Sequence, residues 1–242
     1  MTHARSSLLV ILLFLFSLGS TLQAQSSSGC WTSTAHQVGH GAKSLVQGIG
    51  DAPRNAIKPH NLAWELPVAA ATGLLIAEAD QPASRQITST SMQNGFNTFS
   101  NVGIGLELGS AVLAYGYGCL KHHEGAQATG LLALEGAGGA AAVAYVFKRA
   151  TNRQRPYQDN GEGEFWEGGT SFASGHAAAS FGFASVVAHR SHKRWVPFAV
   201  YGMAAAVSMS RYPAKQHYLS DILVGSTIGY VTGTYLTHTG TR

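Results

Sequence analysis

Charge is scarce in this sequence. Asp, Glu, Lys and Arg together make up 12% of its 242 residues, about half the usual share of roughly 25%. A disordered acidic or basic tail needs high charge and low hydrophobicity, so that class is excluded. No dense basic stripe accompanies the net charge of +4, and nucleic acid is not an expected partner. The 29 glycines follow no every-third-residue period, which excludes collagen. Proline is scarce at 7 residues and cysteine scarcer at 2; Cys30 and Cys119 are free to pair outside the cytoplasm but nothing demands it. No internal repeat of fixed period is present. A clean membrane span of about 18 apolar residues is also hard to find, because Glu107 and Glu135 interrupt two of the best stretches and mean hydropathy is only +0.04.

What is present is a chain rich in Gly, Ala, Leu and Val. Residues 8–18 form an apolar core behind Arg5, followed by small residues at 20–24, the pattern of a secretory signal removed after Ala24. The expected organisation is a signal peptide over 1–24, a polar lead-in over 25–60 and a helical domain over 61–242. Six stretches, about 63–79, 98–120, 127–149, 174–190, 195–210 and 217–238, are long enough to read as helices rather than strands. The expected fold is all-α, a compact bundle of about six helices, in or beside a membrane. Gly136, Gly138, Gly139 and Ala140 to Ala142 would let helix backbones approach closely.

Three clusters carry chemistry. The first is Lys148 with Arg149, Arg153, Arg155 and Pro156. A cation at a helix C-terminus complements the dipole, which accounts for Lys148 but not for four basic residues within eight positions. Lys148 and Arg155 together suit a tetrahedral oxyanion, one as a point charge and the other as a fork. The second is Ser171-Phe172-Ala173-Ser174-Gly175-His176, a loop entering a helix with Ser174 as N-cap. Free N–H groups there can bind an anion, and His176 falls in the first turn. The third is Ser210-Arg211, then His217 and Asp221. If helical, His217 and Asp221 share a face, and the carboxylate can accept Nδ1–H and leave Nε2 as nucleophile or base.

In order and internal spacing, Lys148…Arg155-Pro156, Ser174-Gly175-His176 and Ser210-Arg211…His217…Asp221 resemble the three signature motifs of the type 2 phosphatidic acid phosphatase and vanadium haloperoxidase superfamily. Gly225 resembles the family's usual continuation. Ala173 stands where Pro is usual and Leu219 where Pro is frequent, and neither departure removes a functional group. The resemblance implies that Lys148, Arg155, Arg211, Ser174 and Gly175 hold the phosphate, and that the site lies at helix ends. His217 would attack phosphorus, oriented by Asp221, and His176 would protonate the leaving alkoxide. No metal or other cofactor is implied, and vanadate would act as an inhibitor. The expected partner is a phosphate ester, lipid or soluble, such as phosphatidate, a polyprenyl diphosphate or a small soluble monoester.

Two other readings stay open. Vanadate is the cofactor if the chain is a haloperoxidase, although its length is short for that. An envelope anion-binding protein without activity is the other. Elsewhere, His36 and His40 stand four apart but lack a carboxylate partner at zinc-site spacing. His122-His123 reads as a loop between helices, and residues 190–194 as another polar connection. The acidic, aromatic segment 157–170 joins two motifs, as a flap over the substrate or as a solvated loop.

Overall fold

The computed structural model describes residues 39, 43–44, 46–48, 58–158 and 161–239. The expected signal segment 1–24, most of the lead-in, Cys30, His36 and His40 lie outside them.

Among the described residues every regular element is helical. The order is α1 (Pro59–Leu74), a π-helical turn (Leu75–Ala79), α2 (Asp80–Arg85), α3 (Thr90–Lys121), α4 (Glu124–Thr151), α5 (Gly175–Arg190), α6 (Trp195–Ser210) and α7 (Leu219–Thr239). The all-α expectation holds, with the first predicted helix prolonged through the π turn into α2. Local chemistry sets the ends. The Ser89 hydroxyl accepts from Met92 N to start α3, and His122 stops it in the left-handed region at φ 53°. His123 Nδ1 then accepts from Ala126 N to start α4, so the His122-His123 pair is the inter-helix connection the sequence suggested. Asn152, at φ 44°, ends α4, a conformation that Asn tolerates better than most residues.

α5 is the central helix, packed by α4, α6 and α7. Its buried face is almost wholly Ala, Ser and Gly, so neighbouring backbones come unusually near. A Cβ at Gly225 or Gly229 of α7 would collide with the carbonyl oxygens of Ser174 or Ala178. Gly136 of α4 meets Gly182 in the same way, as expected for Gly136. Gly138 by contrast faces open space.

The apolar surface is far from fully covered. Met92, Phe96, Phe99, Val102, Leu106 and Leu113 form an exposed stripe along α3, and Trp195 and Phe198 stand out on α6. Two helices, Asn61–Arg85 and Glu124–Thr151, are long and apolar enough to cross a membrane. Glu107 is buried between helices, with neither carboxylate oxygen hydrogen-bonded. Cys119 is disulfide-bonded.

Candidate active site

The three sequence clusters meet at one end of the bundle, where α4 and α6 end and α5 and α7 begin. Backbone bonds tie them together. Ser174 N donates to Asp221 O at 3.0 Å, which fastens the second cluster to the third. The Arg211 carbonyl accepts from Gln216 N at 3.1 Å and His217 N at 3.3 Å, so the chain folds back on the arginine six residues earlier.

Contrary to the sequence expectation, His217 is not on a helix. α7 begins at Leu219, and the Asp221 carboxylate reaches back to accept from Tyr218 N at 2.9 Å. This is half of a capping box, in which an acidic side chain in the first turn satisfies the N-cap amide. The expected Nδ1–H to Asp221 hydrogen bond is also not formed. His217 Nδ1 lies 3.6 Å from Asp221 Oδ2, an ion-pair distance, and has no hydrogen-bond partner. Asp221 Oδ2 is taken by the Ser171 hydroxyl and the Tyr218 amide. Catalytic contacts are often long before substrate binds.

Asp221 Oδ1 accepts from Arg153 Nη1 at 2.8 Å. Arg153 was one of four basic residues in the sequence, without an assigned role, and it proves to be almost fully buried. Its Nη2 pairs with Asp80 Oδ2 at 2.8 Å, its Nη1 also reaches Ser220 Oγ at 2.7 Å, and its Nε donates to Gly163 O at 3.0 Å. Ser220 closes the ring by donating to Asp80. The guanidinium lies between the rings of Phe165 and Tyr218, 4.7 and 4.2 Å from their centroids. A buried charge survives only when paired and hydrogen-bonded this completely. Asp80 is the member that sequence reasoning missed; a carboxylate closing an apolar run was its one signal.

The remaining cations are disposed differently. Lys148 Nζ donates to Thr170 O at 2.8 Å and Ser171 O at 3.3 Å. Arg155 Nη1 reaches Gln216 Oε1 at 2.7 Å. Arg211 Nη1 donates to Asn97 Oδ1 at 2.8 Å and Ser100 Oγ at 2.7 Å. The Nε atoms of Arg155 and Arg211 are buried and without a partner. Burial first, then Arg155, pulls the Lys148 ammonium down to about 7, with Asp221 opposing and Arg211 adding to the fall. Burial and Arg155 bring Arg211 down to about 10. Ser174 caps α5, its Oγ accepting from Ala177 N at 3.4 Å, and a side chain at Gly175 would project towards Lys148.

Both histidines are held neutral. Burial dominates for His217, with Lys148 and Arg155 adding to it and Asp221 opposing, and its value falls to about 3. For His176, burial and then Arg211, Lys148 and Arg155 bring it to about 4. Burial raises Asp221, but His217, Arg153 and Ser171 outweigh it and hold the carboxyl below its ordinary range. Lys148 and Arg155 act on both imidazoles and Arg211 on His176, which links the five groups electrostatically. A neutral buried imidazole beside fixed cations and a helix N-terminus suits nucleophilic attack on an anionic, tetrahedral centre. Among the described residues no group of three or more His, Cys, Asp or Glu side chains is arranged to hold a metal ion.

Residues 129–242 match the model of the PAP2 superfamily. Over this part the chain is similar to that superfamily. The match takes in all three clusters, and α1, α2 and α3 precede it. PAP2 members are phosphatases or related enzymes. No curated protein and no solved structure matches the chain.

Segment 157–170 proves to be fastened at its far end. Glu164 O accepts from Gln154 N at 2.9 Å, Trp166 N donates to Thr151 O at 2.7 Å and Gly169 N to Asn152 O at 2.8 Å. Its Gly163 backbone and Phe165 ring serve Arg153, while Trp166 stays exposed.

Proposed function

We propose that the protein is a metal-independent phosphatase that cleaves a phosphate monoester or diphosphate through a phosphohistidine. The observation that supports this reading best is the gathering of Lys148, Arg155 and Arg211 around His176, with Lys148 and Arg155 also acting on a neutral His217. The cations and the free N–H groups at the start of α5 hold the phosphate oxygens, assisted by the Ser174 hydroxyl and the Gly175 backbone. His217 Nε2 attacks phosphorus. The ester P–O bond breaks, its electron pair stays on the leaving oxygen, and His176, reacting as the imidazolium, supplies the proton. Water then attacks the phosphohistidine and gives its proton to His176. The P–N bond electrons return to His217 and phosphate departs. Fixed cations aimed at the charge of the transition state are the largest catalytic contribution.

The exposed apolar stripe of α3 and the apolar faces of α1 and α6 favour a membrane-associated enzyme acting on a lipid phosphate. The Cys119 disulfide suits an oxidising compartment such as the cell envelope and with it the export that residues 1–24 suggest.

The test is phosphate release in EDTA from phosphatidate, a polyprenyl diphosphate and a soluble monoester. Vanadate-inhibited turnover that vanishes in His217→Ala supports the reading. Absence of turnover on all three contradicts it, and halide oxidation that needs vanadate and peroxide would point instead to a haloperoxidase.

A further inference from the structure

His176 has one hydrogen-bond partner among the described residues, and it comes from outside the PAP2 match. Asn101 of α3 places Oδ1 2.9 Å from His176 Nε2. On the same helix, Asn97 and Ser100 hold Arg211 Nη1. These three polar residues, at spacings of three and one, all reach side chains of the site. An amide oxygen can only accept, so this contact requires a proton on Nε2. That leaves Nδ1 as the ring nitrogen free to face the leaving group.

We infer that Asn101 is a positioning residue for the general acid, fixing the ring of His176 so that Nδ1–H is presented to the departing ester oxygen. The inference rests on the phosphatase reading. In the imidazolium, Asn101 accepts from Nε2–H while Nδ1–H is delivered; after transfer, Nε2 keeps its proton and the neutral ring is in the correct tautomer to take a proton from water at Nδ1. The other groups acting on His176 are all cationic: Lys148 from α4, Arg155 after it and Arg211 at the end of α6. On the α7 side, Asp221 is engaged by Arg153, Ser171 and the Tyr218 amide, and His217 is neutral. Asn101 is therefore the neutral acceptor in a cationic setting. It is itself exposed, so exchanging it leaves the packed core untouched.

The experiment compares wild type, Asn101→Ala and Asn101→Asp on two esters with the same phosphate. A nitrophenyl ester releases a stable anion and needs little acid catalysis, whereas an alkyl ester releases an alkoxide that must be protonated. Asn101→Ala is expected to lose about 10- to 100-fold in kcat on the alkyl ester and about twofold or less on the nitrophenyl ester. Asn101→Asp adds a carboxylate beside Nε2, and is expected to restore alkyl-ester turnover and move the alkaline limb of its pH profile upward. His176 followed by NMR titration should move upward in Asn101→Asp without any substrate. Equal losses on both esters, or no loss on either, with an unmoved titration, overturn the inference alone. A folded wild type that hydrolyses neither ester overturns the phosphatase reading, and this inference with it.

Discussion

Arg153 and Arg155 stand two positions apart in one basic run, yet their surroundings differ in kind. Arg153 is fully buried, bonded to two carboxylates, a hydroxyl and a carbonyl, and sandwiched between two rings. Arg155 is half-buried, held by one neutral amide oxygen, with a buried Nε that nothing meets. Every guanidinium nitrogen of the first donates to the protein; the second leaves its Nε without a partner, which suits the proposed anion contact. The partners alone separate them, so one segment supplies a clamp that fixes Asp221 and α7 and, on the proposed reading, a receptor for the substrate anion. A count of basic residues cannot separate the two, whereas their partners can.

The largest effect should come from breaking the clamp. Arg153→Ala leaves Asp80 and Asp221 buried without their counter-charge, which costs about 3–5 kcal/mol, so thermal unfolding should show a strongly lowered midpoint or no cooperative transition. Arg155→Ala should do the reverse. It is expected to lower kcat about 10²- to 10³-fold, about 2.7–4 kcal/mol of barrier, while the midpoint stays within about 2–4 °C. If Arg153→Ala melted like wild type, or Arg155→Ala were the less stable of the two, the division would be wrong.

The same division explains what was legible in the sequence. The all-helical bundle could be read because long Gly- and Ala-rich stretches carry their own signature, and the helix start at Ser174 follows from side-chain capping; the start of α3 at Thr90, capped by Ser89, lies ahead of the expected 98 because its first turns are polar. The segments carrying Lys148, Arg155, Ser174, His176, Arg211, His217 and Asp221 stood out because they repeat a family's spacing, and the fold brings them to one end of the bundle. The helical placement of His217 could not, since the Asp221 carboxylate caps Tyr218 and starts α7 two residues later. The partnership of Asp80 with Arg153, 73 residues away, was equally hidden, because it depends on tertiary contact and lies outside the family match. Asn97, Ser100 and Asn101 were hidden for the same reason, since their partners Arg211 and His176 lie far along the chain.

Acid should separate the two regions again. His176 and His217 have folded values of about 4 and about 3, below the unfolded value of 6.5. The unfolded chain therefore binds more protons than the folded one below that value. Their contribution to stability is complete above pH 6.5 and is lost as pH falls towards 3. Melting curves should show midpoints falling across this window, and His217→Asn should flatten the fall; a wild-type midpoint flat from pH 7 to 4 would contradict the assigned neutral state. In activity, the proposed mechanism needs neutral His217 and protonated His176 together, so kcat/KM should be bell-shaped with its maximum on the acid side of 6.5, reporting the coupled pair.

The smallest effect concerns the rings around Arg153. Phe165→Leu keeps apolar bulk but removes one face of the cation–π sandwich, for about 0.5–2 kcal/mol. Chemical denaturation should register this as a modest shift in midpoint with turnover retained. A large loss of activity without a change in stability would instead make segment 157–170 part of the substrate site.

The most direct test of the account is to trap the intermediate. A ³²P-labelled ester is mixed with enzyme, the reaction is quenched in alkali, where phosphohistidine persists, and the labelled peptide is mapped. The account predicts label on His217, abolished in His217→Ala and retained at the same residue in His176→Ala with a nitrophenyl ester. Steady turnover with no label on His217, or label that survives His217→Ala, would contradict it.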